Sequence, residues 1–289
     1  MRSVLHMKHT PKIQSWDVSD ALWEKVEPYI PNPQRDPDRE YQRKPGAGRK
    51  PLPPRQVFAG IVYVLRTGIQ WKALLKERFG SPSAIHRYFL QWQAAGVFRH
   101  LWAAGLLAYD EVQCIAWMIQ SIDGSLTKAP LAQEAVGPNP TDRGKQGSTR
   151  SLLVEGRGIP IALVVSGANT PDVSLLPQTL ADRIVRWHDP GNGASPSLGG
   201  DKGYTGKAAW DTSQAYGYTP ALQQRGTTTE RQPDPAPLRR RWMVERCHSW
   251  LNRFRKLAIR YEKLQQSYEG LLQLACAIIC WRQTIPIYG

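Results

Sequence analysis

The chain has 289 residues, with 38 Lys and Arg against 24 Asp and Glu and a formal net charge of +14. That length gives room for a sizeable buried core and favours two domains over one, and the positive excess calls for a polyanionic partner or an anionic membrane surface. Nucleic acid leads, because the basic residues are interleaved with Trp and Tyr instead of forming a terminal tail.

The opening MRSVLHMKHT lacks a sustained apolar core and a small-residue cleavage site, so no secretory signal is visible. The longest apolar run, LLQLACAIICW at 271–281, is too short to span a bilayer, and a soluble cytosolic protein is expected. Cys114, Cys247, Cys276 and Cys280 form no CxxC pair and read as buried thiols, which leaves zinc ligation and disulfides without a pattern.

Residues 16–30 suggest a short helix capped near Ser19, with Leu22, Trp23 and Val26 on one side. About 31–55, rich in Pro, Gly and charge, then reads as an extended arm. On composition alone it is a linker. Its functional reading is a basic strand in a minor groove, with Arg43, Lys44, Arg49 and Lys50 facing phosphates.

From 55 to about 95 the apolar period is helical and predicts three short helices. Ser81 can cap the third and Pro82 fits its first position. Helix, tight turn and helix in a basic chain suggest a helix-turn-helix, in which Ser83, His86 and Arg87 would meet base edges.

After residue 110 the period changes to two. CIAWMIQSIDG alternates so that Ile115, Trp117, Ile119, Ser121 and Asp123 share one face of a strand. SLLVEG and IPIALVVSG predict a hairpin, and DVSLLPQTLADRIVRW a helix. A short strand ending at Asp201 follows, then a helix near 206–215 and a strand at 217–221. Two helices, about 239–258 and 267–283, close the chain.

Three acids stand out by position. Asp123 closes the first strand, Asp201 the fourth, and Glu245 opens a late helix among arginines. Each alone has an ordinary reading, as a turn residue, a cap or a solvated helix charge. In a sheet with a hairpin and a crossover helix, however, the first and fourth strands can lie side by side beneath that late helix. Carboxylates so gathered repel one another unless a cation intervenes, and hard oxygen donors suit Mg²⁺ or Mn²⁺. Two such ions support in-line phosphoryl displacement. Glu262, a second acid in the same basic stretch, is expected to be dispensable. Lys145, Arg150 and Arg157 flank the hairpin strands and read mainly as solvated charge, and His248 reads as a packing or surface histidine and not a ligand.

The blocks SIDGSLTKAP, PNPTDRGKQGSTRSLLVEGRGIPIALVVSGAN, GDKGYTG and RRRWMVERCHSWLNRFRKLAIRYEK, with LPPRQVFAGIVYVLRTGIQWKALLKERFG before them, resemble bacterial insertion-sequence transposases of the DDE type, in the insertion-sequence-five family. The resemblance covers nearly the whole chain. It implies an α/β protein: a ribonuclease-H-like mixed sheet flanked by helices at 110–289, preceded at 1–105 by an all-α helix-turn-helix DNA-binding domain. Carried over block by block, Asp123, Asp201 and Glu245 become the catalytic triad and the ligands of Mg²⁺ or Mn²⁺, two ions being implied. The implied activity is binding of terminal inverted repeats, cleavage at the element ends and joining of 3′ hydroxyls to target DNA, by at least a homodimer in the bacterial cytoplasm at the nucleoid.

Around the glutamate, related transposases carry Tyr, Arg, Glu and Lys in the spacing Y-x2-R-x3-E-x6-K. Here Arg241 and Glu245 fit, whereas Leu238 and Asn252 stand at the Tyr and Lys positions. Arg241, Arg246 and Arg253 are then the nearby cations for DNA phosphates. Two rivals remain open at this point: a helix-turn-helix binder with a decayed acid cluster, and a metal-dependent nuclease that cleaves without joining.

Overall fold

The computed structural model describes residues 14–32, 38, 40, 42, 44, 50–185, 194–222 and 242–286. Arg43, Arg49, Leu238 and Arg241 lie outside the described residues.

The N-terminal part is helical. In α1 (Asp20–Val26) the Ser19 hydroxyl accepts the Leu22 amide at 3.1 Å, as the capping pattern predicts, and Leu22, Trp23 and Val26 are buried. Helix α2 (Pro54–Thr67) starts on proline, whose missing N–H is no loss in a first turn, and stops at Gly68, whose φ of 75° belongs to a left-handed cap. A single 3-10 turn at Trp71–Ala73 and a one-turn helix α3 (Lys76–Phe79) lead to α4 (Pro82–Ala94) and α5 (Val97–Gln113). The region thus holds one more helical piece than expected. Ser81 precedes α4 without a side-chain capping bond, so Pro82 alone sets its start.

The second half is a mixed sheet between helices. Its strands are β1 (Ile119–Lys128), the two-residue β2 (Gly137–Pro138), β3 (Gln146–Glu155), β4 (Pro160–Gly167), β5 (Ser197–Gly199) and β6 (Thr219–Ala221). Strand β3 runs antiparallel to β1, β2 and β4, while β5 is parallel to both β1 and β6. Apart from β2, the strands therefore lie in the order β4-β3-β1-β5-β6, with β1 central. The hairpin β3–β4 is where the sequence puts it, and the mixed sheet has helices on both faces, an α/β arrangement as expected.

Alternating strand positions sort the two helical layers. Ser151 meets Thr179 of α6 (Asp172–Ala181) at 2.8 Å, whereas its neighbour Arg150 meets Asn252 of α8 (Trp242–Asn252) at 2.9 Å on the opposite face. Helix α7 (Lys207–Ala215) joins β5 to β6. The expected helix over 239–258 is broken: α8 ends at Asn252, Phe254 is extended with ψ 95°, and a one-turn α9 (Arg255–Ala258) follows. Helix α10 (Gln265–Trp281) is buried on every side, which explains why LLQLACAIICW is apolar without being a membrane span. No described helix is long and apolar enough to cross a membrane. Cys247, Cys276 and Cys280 are buried as expected, but Cys114, just past α5, is exposed.

One hydrophobic core runs from Leu22 to Trp281, and the domain boundary expected at 105–110 falls inside α5. Trp281 Nε1 donates to the Leu101 carbonyl at 3.1 Å, and Trp102 Nε1 donates to the Pro160 carbonyl at 3.0 Å, so α5 is tied both to α10 and to the sheet. Helix α4 is docked through His86, which lies between Trp71 at 4.8 Å and Phe89 at 6.3 Å between ring centroids. Beneath it Lys256 and Glu262 form a buried ion pair at 3.1 Å. The expectation that Glu262 is dispensable therefore fails on structural grounds, because removing one member strands a buried charge.

At Gly105 an added Cβ would stand 2.9 Å from the Trp281 ring. Gly105→Ala should overpack the contact and cost about 1–3 kcal/mol, lowering Tm by several degrees in circular-dichroism melts. An unchanged Tm would refute this packing of α5 on α10. Burial, joined by Lys256 and opposed by Glu262, lowers the pKa of His86. A base with a depressed folded pKa binds fewer protons native than unfolded, so stability falls as pH drops from about 6.5 toward the lowered value. His86→Gln should shrink the Tm difference between about pH 7 and pH 5, and an undiminished difference would assign the acid sensitivity elsewhere.

Candidate catalytic site and nucleic-acid interface

Strands β1 and β5 pair in parallel through Ser121 and Gly199. Asp123 and Asp201 each stand two residues beyond that pair, so they share one level on neighbouring segments about 5 Å apart; β1 runs on to Lys128, so Asp123 lies in its middle and does not close it as expected. Strand β5 has already ended at Asp201, not continued through it as expected. The residue instead caps a 3-10 turn, Oδ1 accepting the Gly203 amide at 2.7 Å.

A third acid joins from the opposite layer. Asp172, first residue of α6, approaches Gly124 so closely that a Cβ there would overlap its carboxylate, at 2.1 Å from Oδ1. Burial and then the charge of Asp201 raise its pKa. Tyr204 is wholly buried alongside, and its phenol is pushed well above the usual range by burial first, then by Asp172, with Asp123 and Asp201 adding to it. Sequence reasoning missed Asp172. The available signal was Gly124, a glycine inside a strand, which marks a close approach by another group.

Glu245 is exposed in the first turn of α8. His248 and Asn252 follow it by three and seven residues and share its helix face. His248 is buried, its Nε2 lies 3.4 Å from the Asp123 carbonyl oxygen, and burial depresses its pKa to about 3, so the ring is neutral. The expected packing role for His248 agrees with this position. Among the described residues no three His, Cys, Asp or Glu side chains stand within metal-holding reach of one another. Asp123 faces the α8 layer and Asp172 the α6 layer, on the two sides of the sheet, and Glu245 is carried on the helix that covers β1. As hard oxygen donors that repel one another, the aspartates have the chemistry to attract a divalent cation.

The arginines around Glu245 are not interchangeable surface charge. Arg246 is held between the indoles of Trp242 and Trp250, each 4.6 Å from the guanidinium, and donates to the Arg157 carbonyl at the β3–β4 turn. Arg157 in turn donates to the Gln113 carbonyl at 2.7 Å. Arg150, expected in solvent, is 1 % exposed. Arg253 and Lys145 are exposed.

At the N-terminal interface, Lys50, Ser83 and Arg87 line one groove of about 440 Å³ with Leu52, Ser81 and Tyr88. All three of the first are exposed, as is Lys44. His86 differs from these: it is half-buried, beside Ile85 and Phe89 of the buried stripe, with its ring 4.8 Å from Trp71.

Residues 118–280 match the family described as "Transposase DDE domain", and residues 18–102 that described as "Putative transposase of IS4/5 family". The chain is 34% identical over 147 residues to the "Putative transposase for insertion sequence element IS402" of Burkholderia cepacia, covering 50% of this chain and 68% of that one. It is 32% identical over 124 residues to the "Insertion element IS402 uncharacterized 16.2 kDa protein" of the same organism, covering 43% and 80%. Among solved structures, the catalytic domain of Mos1 mariner transposase aligns at 12% identity and TM-score 0.27, over 64% of this chain and 91% of that one. By its domain match and its relatives, the chain belongs to the insertion-sequence transposases of the DDE type.

Proposed function

We propose that this transposase binds the terminal inverted repeats of its element, cleaves the DNA at the element ends and joins the freed 3′ hydroxyls to target DNA. The observation that carries this reading is the shared level of Asp123 and Asp201 on parallel neighbours β1 and β5. In this reading Asp123, Asp201 and Glu245 hold Mg²⁺ or Mn²⁺, two ions serving attack and departure. When bound, the ions activate the attacking water or hydroxyl and stabilise the leaving oxygen.

This chain's own residues bind and orient the DNA. Lys50 and Arg87, across one groove from each other, take the phosphates and base edges of the repeat, with Ser83 beside Arg87 and with Lys44, Arg43 and Arg49 along the arm. In this reading exposed Arg253, with Arg241 outside the described residues, meets the backbone of the cleaved strand. Arg246, already held by two indoles and a carbonyl, serves the site by packing the start of α8. Synapsis of two ends requires at least a dimer. Because the core is continuous through α5, DNA recognition and chemistry are two functions of one folded body.

With the full chain and pre-cut and uncut end DNA, Asp201→Asn and Glu245→Gln should each reduce cleavage and strand transfer at least about a hundredfold while leaving end binding intact. Glu111→Gln, an exposed acid on α5, is the matched comparison and should stay active. Cleavage by the two site variants at the wild-type rate would exclude the triad. Cleavage by the wild type without joining of pre-cut ends would make the chain a nuclease, and binding without either would make it a DNA-binding protein alone. Lys50→Ala should weaken all DNA sequences about equally and reduce the salt slope by about one, whereas Arg87→Ala should relax preference for the repeat. Loss of affinity without loss of preference in Arg87→Ala would remove it from the base-reading set.

A further inference from the structure

Arg150 is the most deeply buried cation of the sheet. Cross-strand pairing sets it opposite Ser125, so it shares a strand face with Asp123 two residues away. Its Nη2 donates to Asn252 Oδ1 at 2.9 Å and to Ser125 Oγ at 3.4 Å. Its Nε and Nη1 are buried with no hydrogen-bond partner among the described residues. A guanidinium so placed depends strongly on the few oxygens it reaches, because a buried charge that loses its partner is costly. Asn252 ends α8, where the negative end of the helix dipole also favours a cation.

We propose that Arg150, acting through Asn252, is a positioning residue for the reaction: it fixes the register of α8 on the sheet and thereby the approach of Glu245 to Asp123. Three residues on one helix face divide the task. Asn252 is anchored on Arg150 of β3, His248 rests on the carbonyl of Asp123 in β1, and Glu245 continues the same line one turn further. With His248 Nδ1 buried and unpartnered among the described residues and its Nε2 contact long at 3.4 Å, the Arg150–Asn252 bond at 2.9 Å is the shorter of these two contacts. Loss of that bond frees α8 to slide, and the carboxylate it carries moves with it. The role rests on the triad reading above and adds a residue that touches neither DNA nor metal.

Asn252 is exposed apart from this bond, so its variants test the link without emptying the core. Asn252→Ala should reduce kcat for end cleavage about tenfold with KM for DNA unchanged, raise the Mn²⁺ concentration needed for half-maximal rate, and weaken Mn²⁺ binding measured by electron paramagnetic resonance of the DNA-bound full chain. Asn252→Asp keeps the acceptor and pairs it with the guanidinium, and should restore both rate and Mn²⁺ affinity. Wild-type rate and Mn²⁺ affinity in Asn252→Ala would overturn the inference, as would a rate loss matched by loss of folded protein in thermal melts and not rescued by Asp. Where Asp201→Asn loses Mn²⁺ and Asn252→Ala does not, only the positioning role fails. A wild-type chain that binds no Mn²⁺ on DNA would instead overturn the metal site and this role together.

Discussion

Burial of α10 between α5 and the sheet is the contact on which the rest depends. From Ser267 to Trp281 nearly every side chain of α10 is buried, and each large apolar one contributes about 1.5–3 kcal/mol by leaving water. No other element touches both halves so extensively. Trp281 closes on Leu101 and Gly105 at one end, and Gly270 lets Gln93 of α4 approach near the other. The N-terminal helices and the strands that carry the acids are therefore fixed to one scaffold.

Within that scaffold the acids obey a second constraint, the parallel register of β1 and β5. A one-residue slip would turn Asp123 to the other face and leave Asp201 without a neighbour. Register is held by hydrogen bonding on both edges of β1, with β3 pairing along nearly its whole length. The closeness of Asp172 to Gly124 and the raised pKa of that acid show that negative charge gathers there at an energetic cost in the free protein.

Much of this was legible in the sequence because it depends on period and punctuation. Alternation over Ile119 to Asp123 made β1 and the Arg-Gly turn made the hairpin, while Asp123, expected at the end of its strand, lies in the middle of it because β3 pairs on to Lys128. What was not legible depends on tertiary pairing of charged residues. Arg150, Lys256, Arg260 and Glu262 carry side chains that usually face water, yet all four are buried, Arg150 and Arg260 with partners from distant segments and Lys256 and Glu262 as a pair with each other. His86 was misread for a related reason. Its place after a capped turn suggested exposure, but Trp71, brought in by the unforeseen 3-10 turn, covers it. The break of the late helix at Phe254 was equally hidden, since Arg253 to Lys256 has no proline or glycine to announce it.

The arginines around Glu245 illustrate how composition and function separate. Read as a run, they look like a uniform cationic surface with one stray acid. In the fold Arg246 is committed to two indoles and a turn carbonyl, and Arg150, far away in sequence, supplies the charge at the opposite end of the same helix. Guanidinium groups can serve this way because they stay charged when buried and stack on aromatic faces, which an ammonium does less well. Placing them at both ends of α8 lets a helix with an exposed carboxylate lie against a sheet that already carries Asp123, while Arg253 stays exposed.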